Sequence, residues 1–166
     1  MIPWSSQVLS EAHDLTAFDC GIAALDEWLR SQGRRAAQSG SARTYVWTAP
    51  GEARVVAYYA IAPTHVRREG LSRGMSGGMS VVPAYLLARL GLDRSLRGQG
   101  LGAQLLRDAL EVIVTAAEKA AGRLIVVDAI DETAASFYRH HDFVPVAGSP
   151  HRLVMKVSTA RRALGP

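Results

Sequence analysis

The chain has 166 residues, 48% of them hydrophobic and 20% charged, which is enough for one domain with a real core and too ordinary for a disordered or fibrous protein. No apolar run reaches the ~18 residues that a membrane helix needs, and the Met-Ile-Pro-Trp start lacks a basic segment followed by an apolar one, so neither a membrane span nor a signal peptide is expected. Cys20 is the single cysteine, which excludes an internal disulfide and fits a reducing cytoplasm, and the net charge of +4 is carried almost wholly by arginine.

Asp19 is a candidate helix cap, and Ile22, Leu25 and Leu29 follow at helical spacing. This pattern predicts an amphipathic helix over Cys20–Gln38 with Arg30 and Arg34 on its polar face. Arg43 to Ala49 alternates as a strand does, Arg54 to Ala62 is rich in Val and Tyr, and Pro50-Gly51 between them reads as a hairpin turn. Pro63 to Pro83, with Gly70, Gly74, Gly77 and Gly78, is expected to be a long loop, functional or mobile.

Tyr85 to Leu92 has the continuous apolar run of a buried strand. Arg89 interrupts it, either as the partner of a buried carboxylate or as a group reaching toward an acceptor. Leu101 to Lys119 predicts a long helix and Leu124 to Ala129 a further buried strand. Asp131 is expected to cap a short helix ending at His140, with strands over Phe143–Ala147 and Arg152–Val157 and a frayed tail holding Arg161 and Arg162. The whole reads as a single α/β domain over residues 1–166.

Arg97-Gly98-Gln99-Gly100-Leu101-Gly102 joins the Tyr85–Leu92 strand to the long helix. A strand, a glycine-rich turn and a helix N-terminus make an anion site, because unpaired N–H groups point outward and the helix dipole favours negative charge. The spacing lacks the Gly-Lys-Ser/Thr ending of a P-loop and does not match the dinucleotide fingerprint. Such a turn holds a pyrophosphate or is simply a tight connection. Two arginine groups accompany it: Arg30, Arg34, Arg35 and Arg43 with no acid between them, and Arg67, Arg68 and Arg73 with only Glu69. Such groups are either solvated faces or contacts for a phosphate backbone. His140 and His141 are adjacent on a helix and face different ways, so no metal site is expected there.

The Arg97–Gly102 turn resembles motif A of the GNAT N-acetyltransferase superfamily, and Ala129 to Phe143, containing Asp131 and Phe137-Tyr138, resembles its motif B. The resemblance runs from about Arg43 to Val157. It implies a central mixed, twisted sheet flanked by helices, with a splayed strand pair holding acetyl-CoA. By the same resemblance Leu90, Gly91, Leu92, Arg97, Gly98, Gln99, Gly100, Leu101, Gly102, Ala103 and Asp131 bind that co-substrate, and no metal is used. Asp131 stands where many members have Asn, and Asp142 stands where Gly precedes Phe, a position that Asp tolerates if φ must be positive.

Phe18-Asp19-Cys20-Gly21, Ala24 to Leu29, Arg43 to Val46, Leu90 to Ser95 and Asp128 to Asp131 resemble the acetyltransferase toxins of type II toxin–antitoxin modules. That resemblance implies acetylation of the α-amine of aminoacyl-tRNA, a block of translation, a ribbon-helix-helix antitoxin as partner, and a homodimer. Arg30, Arg34, Arg35, Arg43 and Arg73 are then the candidate tRNA contacts.

An α-amine titrates at about 7.7–8.0, and an ester neighbour lowers it further, so it needs little help from a base, unlike a lysine near 10.4. Tyr138 is the candidate general acid toward the departing thiolate, or else a core tyrosine. The enzymatic alternative is acetylation of a small amine or a protein N-terminus; the non-enzymatic one is a binding protein that retains the fold.

Overall fold

A computed structural model describes residues 4–166. Seven strands form one sheet: β1 (Ser5–Val8), β2 (Arg43–Thr48), β3 (Ala57–Arg67), β4 (Val81–Leu92), β5 (Leu124–Asp128), β7 (Ser149–Lys156) and β6 (Val144–Val146), in that spatial order. β4 and β5 run parallel and the other registered pairs are antiparallel. Five helices accompany them: α1 (Ala23–Ser39), α2 (Arg73–Ser76), α3 (Leu101–Ala120), α4 (Glu132–His140) and α5 (Val157–Leu164). This is the mixed sheet with flanking helices that the sequence predicts.

The chain divides into two compact units. The first joins Ala88–Ala109 to the chain up to Ala62. Its core gathers Leu15, Phe18, Cys20, Leu25, Leu29, Val46, Val55 and Tyr58, with Trp28 packed at the margin. The apolar stripe of α1 makes this possible, since Leu25 and Leu29 lie one turn apart on the buried face. The second unit comprises Pro63–Leu87 and Leu110–Pro166. Its core is β-rich, with Val66, Val82, Leu124, Val126, Val146 and Val154. β5 is buried from Leu124 to Val127, as its unbroken apolar run predicts.

Several boundaries differ from the sequence reading. Asp19 does not cap α1, which begins only at Ala23 behind Ile22. Gly21 has φ +87° and turns the chain between them, so the Asp19 carboxylate accepts instead from the Gly21 N–H at 2.9 Å. β1 is a strand that the sequence did not signal.

The expected 63–83 loop is mostly regular structure: β3 runs on to Arg67, α2 fills Arg73–Ser76 and β4 starts at Val81. Arg123 clips this segment by donating to the Met75 and Gly74 carbonyls at 2.9 Å each. The expected frayed tail is helix α5, with Arg161 3.6 Å from Glu118. Asp131 does cap α4, accepting from the Ala134 N–H at 2.8 Å, and Asp142 does take a positive φ, +72°.

Candidate active site

The glycine-rich turn follows a short 3₁₀ turn, Arg94–Leu96, and opens α3. Gly98 and Gly100 sit at φ +79° and +74°, and a Cβ on either would meet no protein atom within 4 Å. The left-handed backbone alone therefore demands glycine at both positions. Leu101 is buried beneath the turn, while Gly98, Gln99, Gly100 and Ala103 are exposed and Gly102 is half-buried.

What holds the turn in place is a buried aspartate just before it. Asp93 Oδ1 accepts from the Ser95 hydroxyl at 2.8 Å and the Ser95 N–H at 3.1 Å, and its Oδ2 accepts from the Asp19 N–H at 3.1 Å. Burial pushes the Asp93 carboxyl upward in pKa, but these hydrogen bonds and Arg54 outweigh it and leave the group below the usual carboxylate range. Arg97 adds a clasp, donating to the Cys20 carbonyl at 2.7 Å. A Cβ on Gly21 would collide with that guanidinium. The Arg94 N–H to Asp19 carbonyl bond at 2.9 Å and the Arg94 guanidinium 3.6 Å from the Asp19 carboxylate further tie the turn to the entrance of α1. Cys20 is an inert part of this joint, since burial and its bond to Asp26 push the thiol up to about 11.

The β4–β5 register runs from Ala84↔Leu124 to Leu87↔Val127 and ends there, although β4 continues to Leu92. Leu90 and Leu92 are half-buried. Gly91 is buried, and a Cβ there would lie 3.2 Å from a Tyr58 ring carbon and 3.4 Å from Phe18. Here packing, not φ, favours glycine, since a Cβ would press the Tyr58 ring by a few tenths of an ångström.

In α4 the Tyr138 ring is buried edge-on between Phe137 and Phe143, with centroids 5.3 and 5.5 Å away. Burial raises its phenol well above the ordinary tyrosine value, so it is a neutral O–H at physiological pH. The Asp131 carboxylate, committed to capping α4, offers no donor. His140 and His141 meet edge to face, and His141 meets Phe137 in the same way. At the end of β5 Asp128 takes a bidentate pair from Arg152 at 2.7 and 2.9 Å.

The candidate tRNA contacts divide by their present partners. Arg34 reaches back to the Ser10 and His13 carbonyls at 3.0 and 2.7 Å, and Arg30 donates to the Phe18 carbonyl at 3.1 Å. Arg35, Arg43 and Arg73 are exposed and have no side-chain partner among the described residues.

A glycine-rich turn between a strand and a long helix has the form expected of motif A, and a strand pair whose register stops short matches the splay that the resemblance implies, while Tyr138 is packed in the core among aromatic rings. A profile of the acetyltransferase (GNAT) domain matches residues 42–145. The chain belongs to the GNAT acetyltransferase family. A tRNA-acetylating toxin of Mycobacterium tuberculosis is 36% identical over 158 residues, covering 95% of this chain and 94% of the relative. Among solved structures, AtaT complexed with acetyl-methionyl-tRNAfMet is 28% identical and covers 95% of this chain and 96% of that one, with a TM-score of 0.87. A mutant AtaT bound to acetyl-CoA and to the C-terminus of the antitoxin AtaR is 26% identical, covers 98% and 99% of the two chains and has a TM-score of 0.85. Acetyl-CoA is the co-substrate of this GNAT fold, and no described group of His, Cys, Asp or Glu is arranged to hold a metal.

The sequence did not single out Asp93, the Arg97 clasp or Trp28. Asp93-x-Ser95 carries the signature of a turn in which a carboxylate takes the N–H two residues on, and that signal was available. The other two depend on contacts 77 and 61 residues distant along the chain, which no local pattern encodes.

Proposed function

We propose that this GNAT protein transfers the acetyl group of acetyl-CoA to the α-amine of aminoacyl-tRNA and so blocks translation. The observation that carries it is the likeness over nearly the whole chain to a tRNA-acetylating toxin, joined to a fold close to that of AtaT with its acetylated tRNA. All of residues 1–166 act as one acetyltransferase domain in this reading. Acetyl-CoA is held by the Arg97–Ala103 turn through backbone N–H groups and by β4 at Leu90–Leu92. The amides at Gly91 and Leu92 stabilise the oxyanion that forms when the amine attacks the thioester. Asp131 supports the site through its α4 cap.

Tyr138 gives its proton to the coenzyme A sulfur as the thiolate leaves; a buried, neutral phenol is the right state for that. Arg35, Arg43 and Arg73, exposed and unengaged, meet tRNA phosphates directly, and Arg30 and Arg34 contribute charge around them. A ribbon-helix-helix antitoxin and a second copy of the chain are the proposed protein partners, acting in the cytoplasm.

Labelled acetyl transfer from acetyl-CoA, offered in parallel to charged tRNA, deacylated tRNA, peptides and small amines, tests the reading. Label on charged tRNA alone is expected. Label on peptides or small amines, with none on charged tRNA, would assign the enzyme to the other acceptor class.

A further inference from the structure

Arg89 is the one cation of the β4 strand, two residues before Gly91, and it has no ion-pair partner among the described residues. Its guanidinium carbon lies 4.8 Å from the centre of the Trp28 ring. Its Nε is buried and has no hydrogen-bond partner among the described residues. The buried acid of α1, Asp26, is already engaged by the Cys20 N–H at 3.0 Å. The phenol beside it, Tyr58, is held neutral by burial and donates its own proton to the Leu25 carbonyl at 2.7 Å.

The platform under the guanidinium is fixed. Trp28 stacks on Tyr58 with centroids 6.2 Å apart and planes 9° from parallel, and Phe18 closes edge-on at 5.5 Å. A cation–π contact uses none of a guanidinium's N–H donors, and their fork matches two oxygens of a phosphate. A cation that is partly desolvated, stacked and unpaired is held ready for an anion brought by the substrate.

We propose that Arg89 is the binding residue for the phosphodiester next to the esterified terminal nucleoside of the acceptor, and that Trp28 fixes its orientation. The proposal rests on the reading of charged tRNA as the acceptor. It separates Arg89 from the exposed arginines: they gather the tRNA body, and Arg89 registers its end.

The test is steady-state kinetics of Arg89→Met and Arg89→Lys with two acceptors, charged tRNA and an aminoacyl-adenosine ester that has no phosphate. Arg89→Met is expected to raise KM for charged tRNA roughly ten- to hundredfold, the scale of a lost charged hydrogen bond. The KM for acetyl-CoA and the rates on aminoacyl-adenosine stay at wild-type values, and Arg89→Lys recovers part of the loss. A raised KM for acetyl-CoA would place Arg89 on the donor. Equal losses on both acceptors, or a lower melting temperature with unchanged KM, would make it a structural brace; each of these overturns the proposal. Wild-type enzyme inert on charged tRNA removes the acceptor reading and the proposal together, whereas an active wild type with unchanged Arg89→Met kinetics removes the proposal alone.

Discussion

Tyr138 and Asp93 show how burial sorts two ionisable groups into opposite roles. Tyr138 is buried among aromatic rings and stays protonated, so it has a proton to give. Tyr138→Phe keeps that ring packing and removes only the hydroxyl. Turnover is expected to fall about 10²- to 10⁴-fold with acetyl-CoA affinity unchanged by calorimetry; near-normal turnover would return Tyr138 to a packing role.

Asp93 is equally enclosed but takes three hydrogen bonds, which keep it ionised. Because its folded pKa lies below its unfolded one, its stabilisation is present above the unfolded value near 3.9 and is lost as pH falls through the folded value. Asp93→Asn is expected to destabilise the protein by about 1–3 kcal/mol at neutral pH. The gap to wild type should close below about pH 4 in thermal melts; a gap independent of pH would contradict the assignment. Gly21 belongs to the same joint. Gly21→Ala forces a side chain into a left-handed φ and into the Arg97 guanidinium, so it should lower both the melting temperature and acetyl-CoA affinity.

Elements read from periodicity were legible; those decided by distant contacts were not. α3 and β5 carry long patterns that fix type and nearly fix ends, and the cap at Asp131 was readable because its partner lies three residues away. The start of α1 was misread at Asp19 because a glycine turn intervenes and the carboxylate serves Gly21 and Arg94 instead. The 63–83 stretch looked like a loop from its glycines, but Gly77 caps α2, Gly74 lies inside it and Gly70 and Gly78 turn the chain beside it, while Arg123 supplies the clip from 48 and 49 residues away. The α1 arginines look alike in sequence and differ in the fold. Arg34 ties down the 10–13 segment, whereas Arg35 is unengaged. Arg35→Ala with Arg43→Ala should therefore weaken tRNA binding without loss of stability and lower the salt slope by about one per contact removed. Arg34→Ala should cost melting temperature first. Filter binding over a salt series, with parallel melts, reads both.

At the scale of the molecule the two proposed substrates correspond to different kinds of feature. The proposed donor site rests on backbone: positive-φ glycines, a parallel strand pair with a short register, a helix start. Those features have strong local signatures, and motifs A and B exposed them. The proposed acceptor side rests on side chains spread over α1, α2, β2 and β4, where an arginine can be a clamp, a phosphate contact or a cation seated over a ring. Only the fold tells these apart. The amine chemistry fits that division, since an α-amine beside an ester is already largely neutral at cellular pH and asks the protein for position more than for a base. Mass analysis of the 3′ ends of charged tRNA after incubation with the protein and acetyl-CoA tests the account most directly. The account predicts one acetyl group on the α-amine of the esterified amino acid, dependent on acetyl-CoA and sharply reduced by Tyr138→Phe. Unmodified aminoacyl ends, under conditions where the protein binds acetyl-CoA, would contradict it.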